Sequence, residues 1–99
     1  MVKNGARLQS QVDDTQVIVV KTAESLSDLR CGGTLMIPLD TEKSSGPIDP
    51  EFSHGTAVGK RYVDADGAEV LVTKAGQGSL SIGTTVLFLK EAKPLPASD

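Results

Sequence analysis

Cys31, His54 and Asp49 are the residues of this chain whose types and spacing could do chemistry. Cys31 lies in Leu29-Arg30-Cys31-Gly32-Gly33-Thr34, which has the form of one arm of a metal knuckle, yet the chain has no second cysteine and one histidine, His54. A structural zinc site takes four Cys or His ligands, so this arm has no closing partner of those types. Two chemical readings remain. Cys31 and His54 could form a nucleophile pair in which the imidazole takes the thiol proton. A mononuclear metal could instead draw on Cys31, His54 and loop carboxylates such as Asp49 and Glu51. Against both stands the usual fate of a lone cysteine, a small buried apolar side chain. Cys31, His54 and Asp49 are thus the candidates, and neither a catalytic residue, a metal nor a cofactor is assigned.

Two further motifs read better as turns. Asp64-Ala65-Asp66-Gly67-Ala68-Glu69 superficially suggests a calcium loop but lacks the third ligand before its glycine and the flanking helices. Gly76-Gln77-Gly78-Ser79 could be taken for a phosphate cradle, but such loops open a helix, and Leu80-Ser81-Ile82 has strand character.

Composition narrows the function classes. The formal charge is −3 and the lysines and arginines are scattered, which argues against a nucleic-acid backbone as partner. The three aromatic residues, Phe52, Tyr62 and Phe88, are too dispersed for base stacking. No apolar run reaches the ~18 residues needed to span a bilayer, and the N-terminus lacks a signal-like apolar region. A single cysteine excludes an internal disulfide framework and agrees with a reducing compartment, so a cytoplasmic location is expected.

The elements that must position these residues are mainly strands. Apolar residues fall in short blocks of high β propensity at Gln16 to Lys21, Thr34 to Leu39, Thr56 to Asp64, Ala68 to Lys74, Ser79 to Ile82 and Thr84 to Lys90. Asp66-Gly67 between strand formers predicts a hairpin, and Ala75 to Gly78 a second reversal. Thr22 to Arg30 is read as one short helix, with Ser25 and Asp28 as a capping pair and Gly32 or Gly33 ending it in the left-handed conformation. That placement puts Cys31 at a helix C-terminus, where the dipole opposes a thiolate. The domain is expected over residues 1–92, with a long polar loop at 40–55 and an extended proline-containing tail at 93–99. No internal repeat is evident. Val17 to Val20 and Val86 to Leu89 are apolar at every position, so both faces of those strands call for cover, in a barrel or against another subunit.

Two resemblances follow from these stretches. Val17 to Lys21 followed by Gly32 to Pro38 is similar to the opening of the small co-chaperonins, but their subunit-pairing last strand would have to lie beyond Phe88, where this chain turns to proline. Arg30-Cys31-Gly32-Gly33 resembles one knuckle of a zinc ribbon or rubredoxin, with Val72 in Leu71-Val72-Thr73-Lys74 roughly where the other knuckle would begin. The latter implies a metal-free, degenerate ribbon. Taken together, the sequence predicts an all-β domain, a small β-meander or partly open barrel with hairpins. Its expected role is a binding or accessory protein that meets a protein partner or a second copy of itself, with an enzyme using Cys31 as the competing class.

Overall fold

The computed structural model describes residues 3–43 and 46–90. It is nearly all β, as expected. Among the described residues ten short strands run in chain order: β1 (Arg7–Gln9), β2 (Gln16–Lys21), β3 (Leu29–Cys31), β4 (Thr34–Leu35), β5 (Ile37–Pro38), β6 (Arg61–Val63), β7 (Glu69–Lys74), β8 (Leu80–Ile82), β9 (Thr85–Val86) and β10 (Phe88–Lys90). All pairings are antiparallel and build a six-stranded sheet, β10-β6-β7-β2-β1-β5, and a four-stranded sheet, β4-β3-β8-β9. The longest strands, β2 and β7, are those richest in branched side chains, and they pair at the centre of the larger sheet.

The central strands bury one face. Val17, Val19, Val70 and Val72 point into the core, where they meet Leu29, Cys31 and Leu80 from the smaller sheet. Ile18 is only half-buried and Val20 is 39% exposed, so the apolar run Val17 to Val20 does not have both faces covered. Residues Met36 and Leu87 carry the chain from one sheet to the other. Both are buried, and their N–H groups donate to Leu29 O (2.9 Å) and Leu80 O (3.0 Å). The strands therefore alternate between two sheets instead of following one meander.

The register reveals an internal repeat that the bare sequence does not show. Reading outward from the β2–β7 contact, the larger sheet runs β2-β1-β5 on one side and β7-β6-β10 on the other. The smaller sheet repeats the pattern as β3-β4 and β8-β9. In β2–β7, Val17 faces Val72, Ile18 faces Leu71 and Val19 faces Val70, so matching positions exchange partners about Ile18 and Leu71. In β3–β8, Leu29 faces Ile82 and Cys31 faces Leu80, about Arg30 and Ser81. The two halves are thus related by a pseudo-twofold axis, with Leu29 to Leu39 matching Leu80 to Lys90. Even the turns agree: Gly32 and Gly83 have φ of 66° and 59°, a left-handed conformation that a side chain would strain.

Three expectations need correction. The Thr22 to Arg30 helix is a 3-10 turn over Glu24–Asp28, with Ala23 before it making no side-chain cap. Ser25 Oγ donates instead to Asp64 Oδ2 (2.5 Å), and Leu29 takes extended backbone because β8 needs β3 as its partner. Cys31 consequently lies in a strand, not at a helix end, and Gly32 and Gly33 turn a hairpin. The second zinc-ribbon knuckle has no turn to occupy, since Val72 sits mid-strand in β7 and is buried. The 40–55 loop, of which residues 44 and 45 are not described, is mostly exposed but pinned: Asp49 N donates to Gly32 O (3.0 Å) and Ser79 N to Phe52 O (2.7 Å). The tail at 93–99 lies outside the described residues.

Candidate functional site

Cys31 is fully buried in β3 and faces Leu80 of β8 across the smaller sheet. Its pseudo-symmetric counterpart is Ile82, so the sulfur occupies a position that the other half fills with hydrocarbon. Burial is the largest influence on the thiol and pushes its pKa up, against a hydrogen bond with Thr15 that lowers it; with the neighbouring Asp13 charge, the result is about 12. A thiol so held stays protonated at neutral pH and lacks an approach for a substrate.

The group beside it is a structural junction. Asp13, in the β1–β2 turn, accepts from Gly78 N (2.5 Å) and Thr15 Oγ1 (2.7 Å), and Cys31 Sγ lies 3.7 Å from its other oxygen. Burial alone would raise the Asp13 carboxyl, but hydrogen bonds from Ser10, Gly78 and Thr15 outweigh it and hold the pKa below the ordinary value. Gly78 must be glycine, because a Cβ there would come within 2.7 Å of Cys31 Sγ and 2.8 Å of Gly32 N. The cluster ties the β1–β2 turn to the β7–β8 loop.

The other candidates lie elsewhere. His54 is exposed and its backbone N–H donates to Ser79 Oγ (2.9 Å), while Asp49 is exposed and its carboxylate accepts from Glu51 N (2.9 Å). Among the described residues no three His, Cys, Asp or Glu side chains are grouped to hold a metal ion. The structure therefore does not bring Cys31, His54 and Asp49 into one site.

What the structure does assemble is an apolar edge. Phe88, Leu89 and Val86 are 61%, 44% and 45% exposed, on the β9–β10 segment that crosses between the sheets. A cavity of about 240 Å³ opens beside them, walled by Ile82, Val86, Phe88 and the Asp64–Asp66 turn. β10 is one outer strand of the six-stranded sheet and β5 is the other. The two edges differ at matching positions, Pro38 in β5 and Leu89 in β10. Leu39 N donates inward to Arg7 O (3.1 Å), so the neighbouring position 38 faces outward, and there proline removes the donor. The corresponding outward donor in β10 is the N–H of Leu89. Lys90 is the one charge on this edge strand, and its Nζ is drawn back to the buried Glu69 (3.0 Å), which Arg61 also approaches (3.4 Å). Sequence reading flagged Val86 to Leu89 as needing cover, but missed that the opposite edge is closed by a proline.

Compared with family models, curated proteins and solved structures, the chain finds no match.

Proposed function

We propose that this chain is a small cytoplasmic binding protein, an accessory subunit or interaction module, that docks an extended segment of a protein partner along the outer edge of β10. The observation that carries the reading is the contrast between the two edges. An exposed apolar edge strand is a template for pairing, and folds that avoid association blunt such edges with proline or charge. Here β5 is blunted by Pro38, whereas β10 offers the Leu89 N–H with apolar side chains around it. Strand addition to such an edge draws affinity from main-chain hydrogen bonds and selectivity from side-chain pockets, and the cavity beside Phe88 would serve the second purpose. The competing reading, thiol or metal chemistry at Cys31, has the buried and protonated state of that thiol against it.

The test is capture by the wild-type chain and by Leu89→Pro, which gives β10 the residue that β5 already carries. Because position 89 matches the outward-facing position 38, the substitution removes an outward donor and leaves the inner ladder to β6 intact. The expected result is a partner, or a concentration-dependent mass in sedimentation, that the wild type shows and the variant loses while staying folded. A monomeric wild type that captures nothing beyond what Leu89→Pro captures overturns the reading.

A further inference from the structure

The pseudo-twofold also matches two clusters of side chains on the larger sheet. Arg7 pairs with Ile18 as Arg61 pairs with Leu71, so the two arginines hold equivalent positions. Each end of the β2–β7 pairing carries a register shift, which sets Gln16 opposite Lys74 at one end and Glu69 opposite Lys21 at the other. Gln16 and Glu69 are therefore counterparts, as are Lys74 and Lys21. In the second half the Glu69 carboxylate is buried and meets Arg61 at 3.4 Å and Lys90 at 3.0 Å. In the first half the arginine and the lysine are kept but the carboxylate is not: Gln16 is a neutral amide of the same length, and Leu39 matches Lys90. A cavity of about 420 Å³ opens there, its walls including Arg7, Gln16, Ile18, Leu39, Thr73 and Lys74. No acidic residue lines it, and among the described residues neither Arg7 nor Lys74 is in an ion pair.

We infer that this cavity binds a small organic carboxylate, which supplies the charge that Glu69 supplies in the second half. The comparison between halves selects the chemistry, because the equivalent arginine is met by a carboxylate on an aliphatic stem. A planar guanidinium receives a carboxylate through parallel N–H bonds, and Lys74 adds a second positive charge. Ile18 and Leu39 give an aliphatic body an apolar wall, and the volume falls within the roughly 300–1,000 Å³ of small-molecule sites. The chain as a whole carries −3 and offers anions no general attraction, so binding rests on this local pair of cations. The site lies on the β5 side of the sheet, away from β10. The inference goes beyond the edge-docking reading and does not depend on it.

Titration of the full chain with hexanoate, followed by methyl NMR, tests it. The expected result is saturable movement of the Ile18 and Leu39 methyl resonances while those of Ile82 and Val86 stay in place. Hexanamide lacks the charge and inorganic phosphate lacks the aliphatic body, and each should bind at least about tenfold more weakly. Gln16→Glu places the carboxylate of the second half in the first and should weaken hexanoate by a similar factor; Arg7→Gln removes the guanidinium and should do the same. Unmoved Val19 and Val72 methyls show that a variant is folded, and either folded variant serves. No saturable movement, hexanamide or phosphate binding as tightly as hexanoate, or undiminished affinity in a folded variant would each overturn it.

Discussion

The Asp13 carboxylate accepts from Gly78 N and Thr15 Oγ1 and lies against the Cys31 thiol, so three separate parts of the chain meet on one charge. Hydrogen bonds to a charged acceptor are among the stronger ones, and with Asp13 half-buried we expect Asp13→Ala to cost about 1–2 kcal/mol in urea unfolding. Because folding holds this carboxyl below its ordinary 3.8, its contribution is complete above that pH and is lost as pH falls further. Asp13→Asn should accordingly flatten the acid limb of the stability profile, and an unchanged limb would remove Asp13 from the junction. For Cys31 the sign is opposite. Its folded pKa of about 12 lies above the ordinary 9.0, so its share of stability is complete below pH 9 and is lost as pH rises from there towards 12. A thiol reagent at pH 8 should leave Cys31 unmodified until denaturant is added; labelling of the native chain at the rate of a free thiol would restore the nucleophile reading. The fate of Cys31 as a packing atom was legible in its isolation, since no residue within reach in the sequence completes a site. The role of Asp13 was not, because Gly78, its donor, is brought to it only by the meeting of the two halves.

At the scale of elements, propensity located the long strands well. β2 begins and ends where Gln16 and Lys21 bound the Val-Ile-Val-Val run, and the Asp66-Gly67 turn joins β6 to β7 as its chemistry requires. β1 and β3 escaped notice because Arg-Leu-Gln and Leu-Arg-Cys are too short to show a period, and their strand state is imposed by β2 and β8. The Thr22 to Arg30 helix failed for the same reason: a weak local preference yields when a neighbouring strand needs a partner. The consequential difference between elements is that of the two edge strands. Leu89→Pro is expected to leave thermal stability within a few degrees of wild type, since β5 already accommodates proline at the matching position. If the variant instead unfolds, the Leu89 N–H faces β6 and the edge is not open.

At the scale of the molecule, the described residues form two five-strand halves that complete each other through β2–β7 and β3–β8. Neither half holds both sides of its central pairings, so the core is shared. Val19 and Val72 occupy matching environments, 2% and 1% exposed, and truncating either to Ala should cost about 2–3 kcal/mol by similar amounts, read from chemical denaturation. A difference well beyond 1 kcal/mol would show that the halves are not energetically matched. The repeat was hidden in the sequence because paired positions differ in type, Leu8 for Tyr62 and Cys31 for Ile82, and because the connection from β2 to β3 is longer than that from β7 to β8. The proposed edge-docking function rests on where the symmetry fails, at Pro38 and Leu89. Amide hydrogen exchange at Leu89, measured in the chain alone and in its complex, tests this most directly. The account predicts a fast-exchanging Leu89 N–H that becomes protected on assembly; an amide that stays fast while protection appears on another surface would contradict it.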